Sequence, residues 1–234
     1  MRSISVIIPV FNEQETIDTC LRQVSDFLSE KKILFEIIVV NDGSLDLTRQ
    51  RLATWANQIV VIDNDQNQGK GYSVKRGLLA GKYEWLLFLD ADLSTPISEV
   101  NKFIDHNITH DSMIGSRRIQ NSKIVTSQPK IKDFAGRVGN KLVKKISGLS
   151  YDDTQCGFKV FHRSLLPLIE KMTINGWGFD IELLYILEKH KKSVQEIPVD
   201  WTNNLDSKVK IIDYFKTLVE LIQIRQNDRK GLYI

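Results

Sequence analysis

The chain has 234 residues, 42% hydrophobic and 26% charged, with 13 glycines and five prolines, a balance that excludes disordered, collagen-like and coiled-coil proteins. Net charge is only +3, yet residues 117 to 145 carry nine basic side chains and one acid, and residues 208 to 234 carry six and three, which leaves −8 for the rest. Such asymmetry implies an anionic partner near the two basic segments, phosphate or anionic lipid, and without zinc-finger spacing or an aromatic RNA-binding signature no nucleic acid is expected.

In chain order, Ser3 to Val10 predicts a buried strand that opens the fold directly, so no signal peptide is expected. Asn12 to Glu30 predicts an amphipathic helix carrying Ile17, Leu21, Val24 and Leu28 on one face. Phe35 to Val40 predicts a second strand before the turn Asn41-Asp42-Gly43-Ser44. A helix over 47–56, a strand over 59–62, a helix over 71–80 and a strand from Trp85 to Leu89 follow. Pro96 to Ile108 reads as helix, 112–115 as strand, 120–130 as loop and 131–147 as helix. The last third predicts a helix over 179–189, a strand over 194–199 and a helix over 210–225. Strands alternating with helices predict an α/β, Rossmann-like, mostly parallel sheet flanked by helices. Cys20 and Cys156 form neither a zinc-ligand pair nor a disulfide framework, so a reducing compartment is the default. No stretch approaches the roughly 20 apolar residues needed to span a bilayer.

Ligands of open α/β sheets bind beyond the carboxyl ends of the strands. Three such ends carry polar residues: Pro9-Val10-Phe11-Asn12-Glu13, Asn41-Asp42-Gly43-Ser44 and Asp90-Ala91-Asp92. Two carboxylates one residue apart after a buried strand suit a hard divalent ion, Mg²⁺ or Mn²⁺, completed by phosphate oxygens. The segment from Asn67 to Gly77 is a glycine-rich turn opening a helix, whose N–H groups attract phosphate. It lacks both the P-loop and the Gly-x-Gly-x-x-Gly spacing, because Val74 stands at the third glycine.

These four segments resemble, in order, the nucleotide-sugar site of family 2 inverting glycosyltransferases, which implies a GT-A fold. Gly115-Ser116-Arg117, Asp153-Thr154-Gln155-Cys156-Gly157-Phe158-Lys159, Trp177 to Leu184 and Asp206-Ser207-Lys208 are similar to the dolichyl-phosphate β-glucosyltransferase branch. The resemblance implies a metal-dependent enzyme that moves glucose from UDP-glucose to a polyprenyl or dolichyl phosphate. It assigns Pro9, Phe11, Glu13, Asp42, Gly69, Lys70, Asp90, Ala91 and Asp92 to the nucleotide sugar, with Asp90 and Asp92 on the metal. Where the related mannose synthases carry a Gln that helps the metal, Ser94 stands here.

Arg117 is expected to stabilise the leaving diphosphate, and Asp153 to lie at the reaction centre with Asp180 and Glu182 in support. Arg117, Arg137, Ser207, Lys208 and Arg225 are the candidates for the acceptor phosphate. Residues 1–207 are read as the catalytic domain and 208–234 as a C-terminal amphipathic helix. At about 100° per residue, Phe215, Leu218, Val219 and Ile222 share one half with Arg225, while Asp213, Lys216, Thr217 and Glu220 share the other. That pattern commonly packs on a sheet; beside two basic segments it is read as interfacial, placing a cytoplasmic protein peripherally on the cytoplasmic face of an anionic membrane. The competing functions are a soluble transferase acting on a glycan or protein, and a nucleotide-sugar-binding protein without turnover.

Overall fold

The computed structural model describes residues 3–104, 110–126, 142–202 and 211–234. Strand β1 (Ser3–Val10) is buried from Ile4 to Ile8. It can be apolar on both faces because it pairs in parallel with β2 (Leu34–Asn41) and β4 (Trp85–Leu89) while helices cover the sheet. Strand β3 (Val60–Asp63) pairs in parallel outside β2. On the other side β7 (Phe158–His162) runs antiparallel between β4 and β5 (Ser112–Ser116), and β8 (Val194–Pro198) pairs in parallel with β5. The order is β3-β2-β1-β4-β7-β5-β8, a mostly parallel sheet with one reversed strand. Reversal places the start of β7 at the edge where β1, β2, β4 and β5 end.

Alternation along the strands divides the core in two. Ile4, Val6 and Ile8, with Leu87 and Leu89, face α1 (Ile17–Glu30) and α4 (Val100–Ile104). Ile7, Leu86 and Phe88 face α3 (Lys70–Ala80), α7 (Phe179–Lys189) and α8 (Ile211–Arg229). Shorter helices lie at α2 (Thr48–Ala53), α5 (142–147) and α6 (Leu166–Ile169). A ribbon of β6 (Lys123–Thr126) and β9 (Asp200–Thr202) joins the body where Thr202 N–H donates to the Ser94 carbonyl at 2.8 Å.

Several elements differ from the expectations. Helix α1 starts at Ile17 because Asn12 adopts φ 55° and bridges to the next loop: its N–H donates to Ser44 Oγ, and its Oδ1 accepts from Leu45 N–H. A 3-10 turn, Ile97–Glu99, precedes α4, and the expected helix over 96–108 extends into residues outside those described. The loop expected over 120–130 contains β6, while the helix expected over 131–147 is described only at 142–147. Strands β7 and β9 were not anticipated.

Helix α8 turns Thr217, Leu221, Ile224 and Asn227 inward and leaves Phe215, Val219 and Ile222 in solvent. The apolar half of the wheel is therefore split between core and surface. Polar Glu220 faces protein because its carboxylate accepts the Gly178 N–H at 2.6 Å. Among the described residues no helix is long and apolar enough to cross a membrane.

Candidate active site

Strand β4 delivers Asp90 to the sheet edge, with Asp92 one residue beyond Ala91. Lys70, the first residue of α3, reaches Asp90 Oδ1 at 2.7 Å. Its ammonium lies 5.0 Å from the Trp177 ring centroid and 5.5 Å from that of Phe88. Burial alone would pull the Lys70 ammonium down, but the charges of Asp90 and Asp180 outweigh it and hold Lys70 above the usual lysine range. The enclosing protein and the neighbouring Asp90 push the Asp92 carboxyl up, against Ser94 and Lys70. Ser94 donates to Asp92 from both its N–H and its hydroxyl, each at 2.9 Å, so it holds that carboxylate in place.

Arg117 directly follows the end of strand β5, and the segment before β7 supplies Asp153. The two form a bidentate pair, Arg117 Nε to Asp153 Oδ2 at 2.6 Å and Arg117 Nη2 to Oδ1 at 2.9 Å, with the Arg117 backbone N–H also on Oδ2. Glu196 accepts the backbone N–H groups of Asp152 and Asp153 and fixes the segment. Trp201 of β9 lies 5.4 Å from the guanidinium. Burial favours neutral Asp153, yet the Arg117 charge and its hydrogen bonds prevail and hold the carboxyl below the usual range. Arg117 is correspondingly held more firmly protonated.

The third group is buried. Lys159, 1% exposed and second in β7, donates to Asp180 Oδ1 and to the Cys156 carbonyl, both at 2.5 Å. Burial pushes the Asp180 carboxyl up despite Lys159 and Lys70. The first turn of α7 thus faces the cluster. Glu182, two residues on, points elsewhere: it accepts from the Thr173 N–H and hydroxyl, the Ile174 N–H and the Tyr233 hydroxyl. It braces the loop before α7 and is not brought to the cluster. Burial raises the thiol of Cys156 to about 11 and raises that of Cys20 as well, so neither is a nucleophile at neutral pH.

On the opposite flank, the loops after β1 and β2 are laced together. Glu13 N–H donates to Thr48 Oγ1 at 2.8 Å, and Glu13 Oε2 accepts from the Thr16 hydroxyl at 2.6 Å. Pro9 pairs in register with Val40, and Phe11 is half-buried where the β1 loop begins. Asp42 is buried and accepts from Asn64 Nδ2 at 2.6 Å and from the Gln68 and Gly69 N–H groups at 2.9 Å. It therefore anchors the glycine turn. The start of α3 departs from the expectation of a phosphate cradle, because the Gly71 and Tyr72 N–H groups already donate to the Asn175 carbonyl. Gly69, at φ 103°, makes that approach possible, and a Cβ on Gly71 would meet Phe179 Cβ at 2.5 Å.

Arg137, Ser207 and Lys208 lie outside the described residues. Arg225 donates to the Tyr185 hydroxyl at 3.0 Å, about 7 Å along α7 from Asp180, and is not brought to the cluster. Sequence reasoning missed Gly157, where a Cβ would stand 2.5 Å from Asp90 Cγ. It also missed the roles of Lys159, Trp177 and Glu220. A lysine at the centre of the apolar run Phe158-Lys159-Val160-Phe161 was the available signal for the first of these.

Residues 5–168 match the family model for glycosyl transferase family 2. A dolichyl-phosphate β-glucosyltransferase of Trichomonas vaginalis is 33% identical over 97% of this chain and 72% of its own length. The enzyme of the same description from Saccharomyces cerevisiae is 33% identical over 98% and 76%. Among solved structures, mannosyl-3-phosphoglycerate synthase from Rubrobacter xylanophilus superposes with a TM-score of 0.71 at 16% identity, covering 98% of this chain and 75% of that one. Glucosyl-3-phosphoglycerate synthase from Mycobacterium tuberculosis, solved with Mn²⁺, UDP-glucose and phosphoglyceric acid, gives 0.67 at 18% identity over 95% and 79%. These two likenesses establish the GT-A-like fold.

Proposed function

The chain belongs to glycosyl transferase family 2, and from that premise we propose that it transfers glucose from UDP-glucose to a polyprenyl or dolichyl phosphate, with inversion at the anomeric carbon. It is a glycosyltransferase of the dolichyl-phosphate β-glucosyltransferase branch. The observation that carries the finer reading is the meeting, at one sheet edge, of the Asp90–Asp92 carboxylates with the Arg117–Asp153 pair.

Asp90 and Asp92 offer a hard ion two carboxylates, and among the described residues no group of three His, Cys, Asp or Glu side chains makes a fuller cage. So small a donor set suits Mg²⁺ or Mn²⁺, which complete their shells with phosphate oxygens and water. When bound, such an ion offsets the charge that develops on the leaving diphosphate.

The rest follows from the chain's own groups. A phosphate oxygen of the acceptor bonds to the anomeric carbon as the bond to the diphosphate breaks. The acceptor is already ionised near neutral pH, its second pKa being about 6, so no side chain need take a proton. Asp153, held anionic by Arg117, orients that guanidinium and does not act as a base. Two of the five guanidinium N–H donors go to Asp153, and the others serve the phosphates.

For attachment, the exposed row Phe215, Val219 and Ile222 on α8 supports a peripheral position on an anionic, cytoplasmic membrane face. The basic segments, with Arg137, Ser207 and Lys208, would meet the acceptor phosphate and head groups. The test is to incubate the pure protein with Mg²⁺, a panel of nucleotide sugars and a short polyprenyl phosphate. A glycolipid made from UDP-glucose, lost in Asp92→Asn and in excess chelator, is expected. Transfer only to a soluble glycan or protein would replace the acceptor assignment, and full activity in chelator would remove the metal.

A further inference from the structure

The cluster pairs its charges unequally. Among the described residues, four carboxylates (Asp90, Asp92, Asp153, Asp180) meet three cations (Lys70, Arg117, Lys159). Arg117 is committed to Asp153 in a bidentate bond, and Lys159 is locked to Asp180 inside the protein. Lys70 is the neutralising charge for Asp90, and it sits 2.7 Å from Oδ1 of one of the two carboxylates a divalent ion would use. An ammonium and a divalent cation cannot share that oxygen, because like charges at such range repel strongly.

The backbone of Lys70 cannot yield. Gly71 N–H is fixed to the Asn175 carbonyl at 2.7 Å, and Gly71 is packed too tightly for the turn to slide. The side chain can, since a lysine carries its charge on a flexible four-carbon stem, and here that charge lies near the rings of both Phe88 and Trp177. Resting on the metal-dependent reading above, we propose that Lys70 is a resident counter-ion for Asp90 that gives up its place when ion and donor diphosphate arrive together, and then bonds the diphosphate.

The charge balance favours that order. With Lys70 in place the described members of the cluster carry one excess negative charge. A divalent ion alone would reverse the sign and strand the Lys70 ammonium beside it. A diphosphate, with about two negative charges, restores the original balance and gives Lys70 a partner. Metal and donor then bind with positive coupling, and by linkage each strengthens the other by the same factor.

The test measures Mn²⁺ binding directly, by calorimetry or by the electron-spin signal of free Mn²⁺, with and without UDP and with no turnover. Wild-type protein is expected to bind Mn²⁺ weakly alone and about tenfold or more tighter with UDP, within the usual range of coupling between two sites. Lys70→Met, which keeps the stem and removes the charge, should bind Mn²⁺ alone more tightly than wild type and lose most of the UDP enhancement. Lys70→Gln serves as the second variant should the first not fold, with the same expectation. Mn²⁺ affinity in folded variants no higher than wild type, with the UDP enhancement intact, would overturn the role of Lys70 and leave the metal-dependent reading standing. Absence of Mn²⁺ binding in wild type and variants, with or without UDP, would overturn both.

Discussion

Gly157→Ala tests the geometry at its tightest point. Gly157 is not among the glycines with positive φ, so alanine suits its backbone and the obstacle is contact alone. The added Cβ would stand 2.5 Å from Asp90 Cγ and closer still to Oδ2. Ordinary carbon–carbon contact is about 3.5–4.0 Å, so the carboxylate must retreat by about 1–1.5 Å. Strand β7 cannot easily retreat instead, because it is bonded on both sides and Asp90 N–H donates to the Gly157 carbonyl. Asp90 is a short side chain at the rim, and turning it off its rotamer costs about 0.5–1.5 kcal/mol, with a small addition for the weakened pair with Lys70. For a protein of this size that lowers Tm by about 2–6 °C. Displacing a reacting or binding group by 1 Å costs about 100-fold in rate. The expected signature is a folded protein with far-ultraviolet circular dichroism like wild type, a modest Tm loss, weakened Mn²⁺ binding in the presence of UDP, and turnover down about 100-fold. Wild-type turnover together with wild-type Mn²⁺ affinity would refute the reasoning.

Asp153→Asn should destabilise by about 2–4 kcal/mol, somewhat below the cost of breaking a wholly buried pair, because the Arg117 side chain keeps 23% exposure. The folded-state value of Asp153 lies below its ordinary 3.8, so its contribution is complete above that pH and is lost only as pH falls through the folded value. Thermal scans should therefore show a constant deficit between about pH 8 and 5 that narrows only in stronger acid. Glu220→Ala strands the Gly178 N–H and should cost about 1–3 kcal/mol in chemical denaturation and alter the fluorescence of neighbouring Trp177, whereas Glu220→Gln, which keeps an acceptor, should recover most of both. Changing Phe215, Val219 and Ile222 together to Ser should abolish co-sedimentation with anionic vesicles at low salt while leaving Tm near wild type, because all three are exposed; unchanged sedimentation would count against the interfacial face.

The strands that carry the acidic ends were legible because parallel strands covered on both faces are continuous apolar runs, as in Trp85 to Leu89. Strand β7 was hidden for a physical reason. Its Lys159 reads as a surface residue, and the Asp180 that permits its burial lies 21 positions away. Asp180 and Glu182 looked equivalent in sequence, but two helical positions are about 200° apart, so one faces the cluster and the other the loop at Thr173. The start of α3 looked open to phosphate because nothing local announces that Asn175 will cap it from over 100 residues away. For α8, the wheel ranked faces by polarity, whereas the fold selected the face carrying Glu220, whose acceptor the Gly178 N–H requires.

The sheet's two faces also close at different moments in the life of a nascent chain. Among the described residues, the core against α1 and α4 has its last buried member at Val199, whereas the core against α3 and α7 waits for Leu221, Ile224 and Tyr233. While those residues are still inside the ribosome, α7 presents an uncovered apolar flank, and Glu182 lacks the hydroxyl of Tyr233. The strand that leads into Asp90 is thus covered on one face while Trp177, Lys70 and Asp180 still depend on the other. Domains fold during synthesis at about 5–20 residues per second, so the half-built state lasts a few seconds, long enough for a ribosome stalled before Tyr233 to hold a protein with one face sealed and the other sticky.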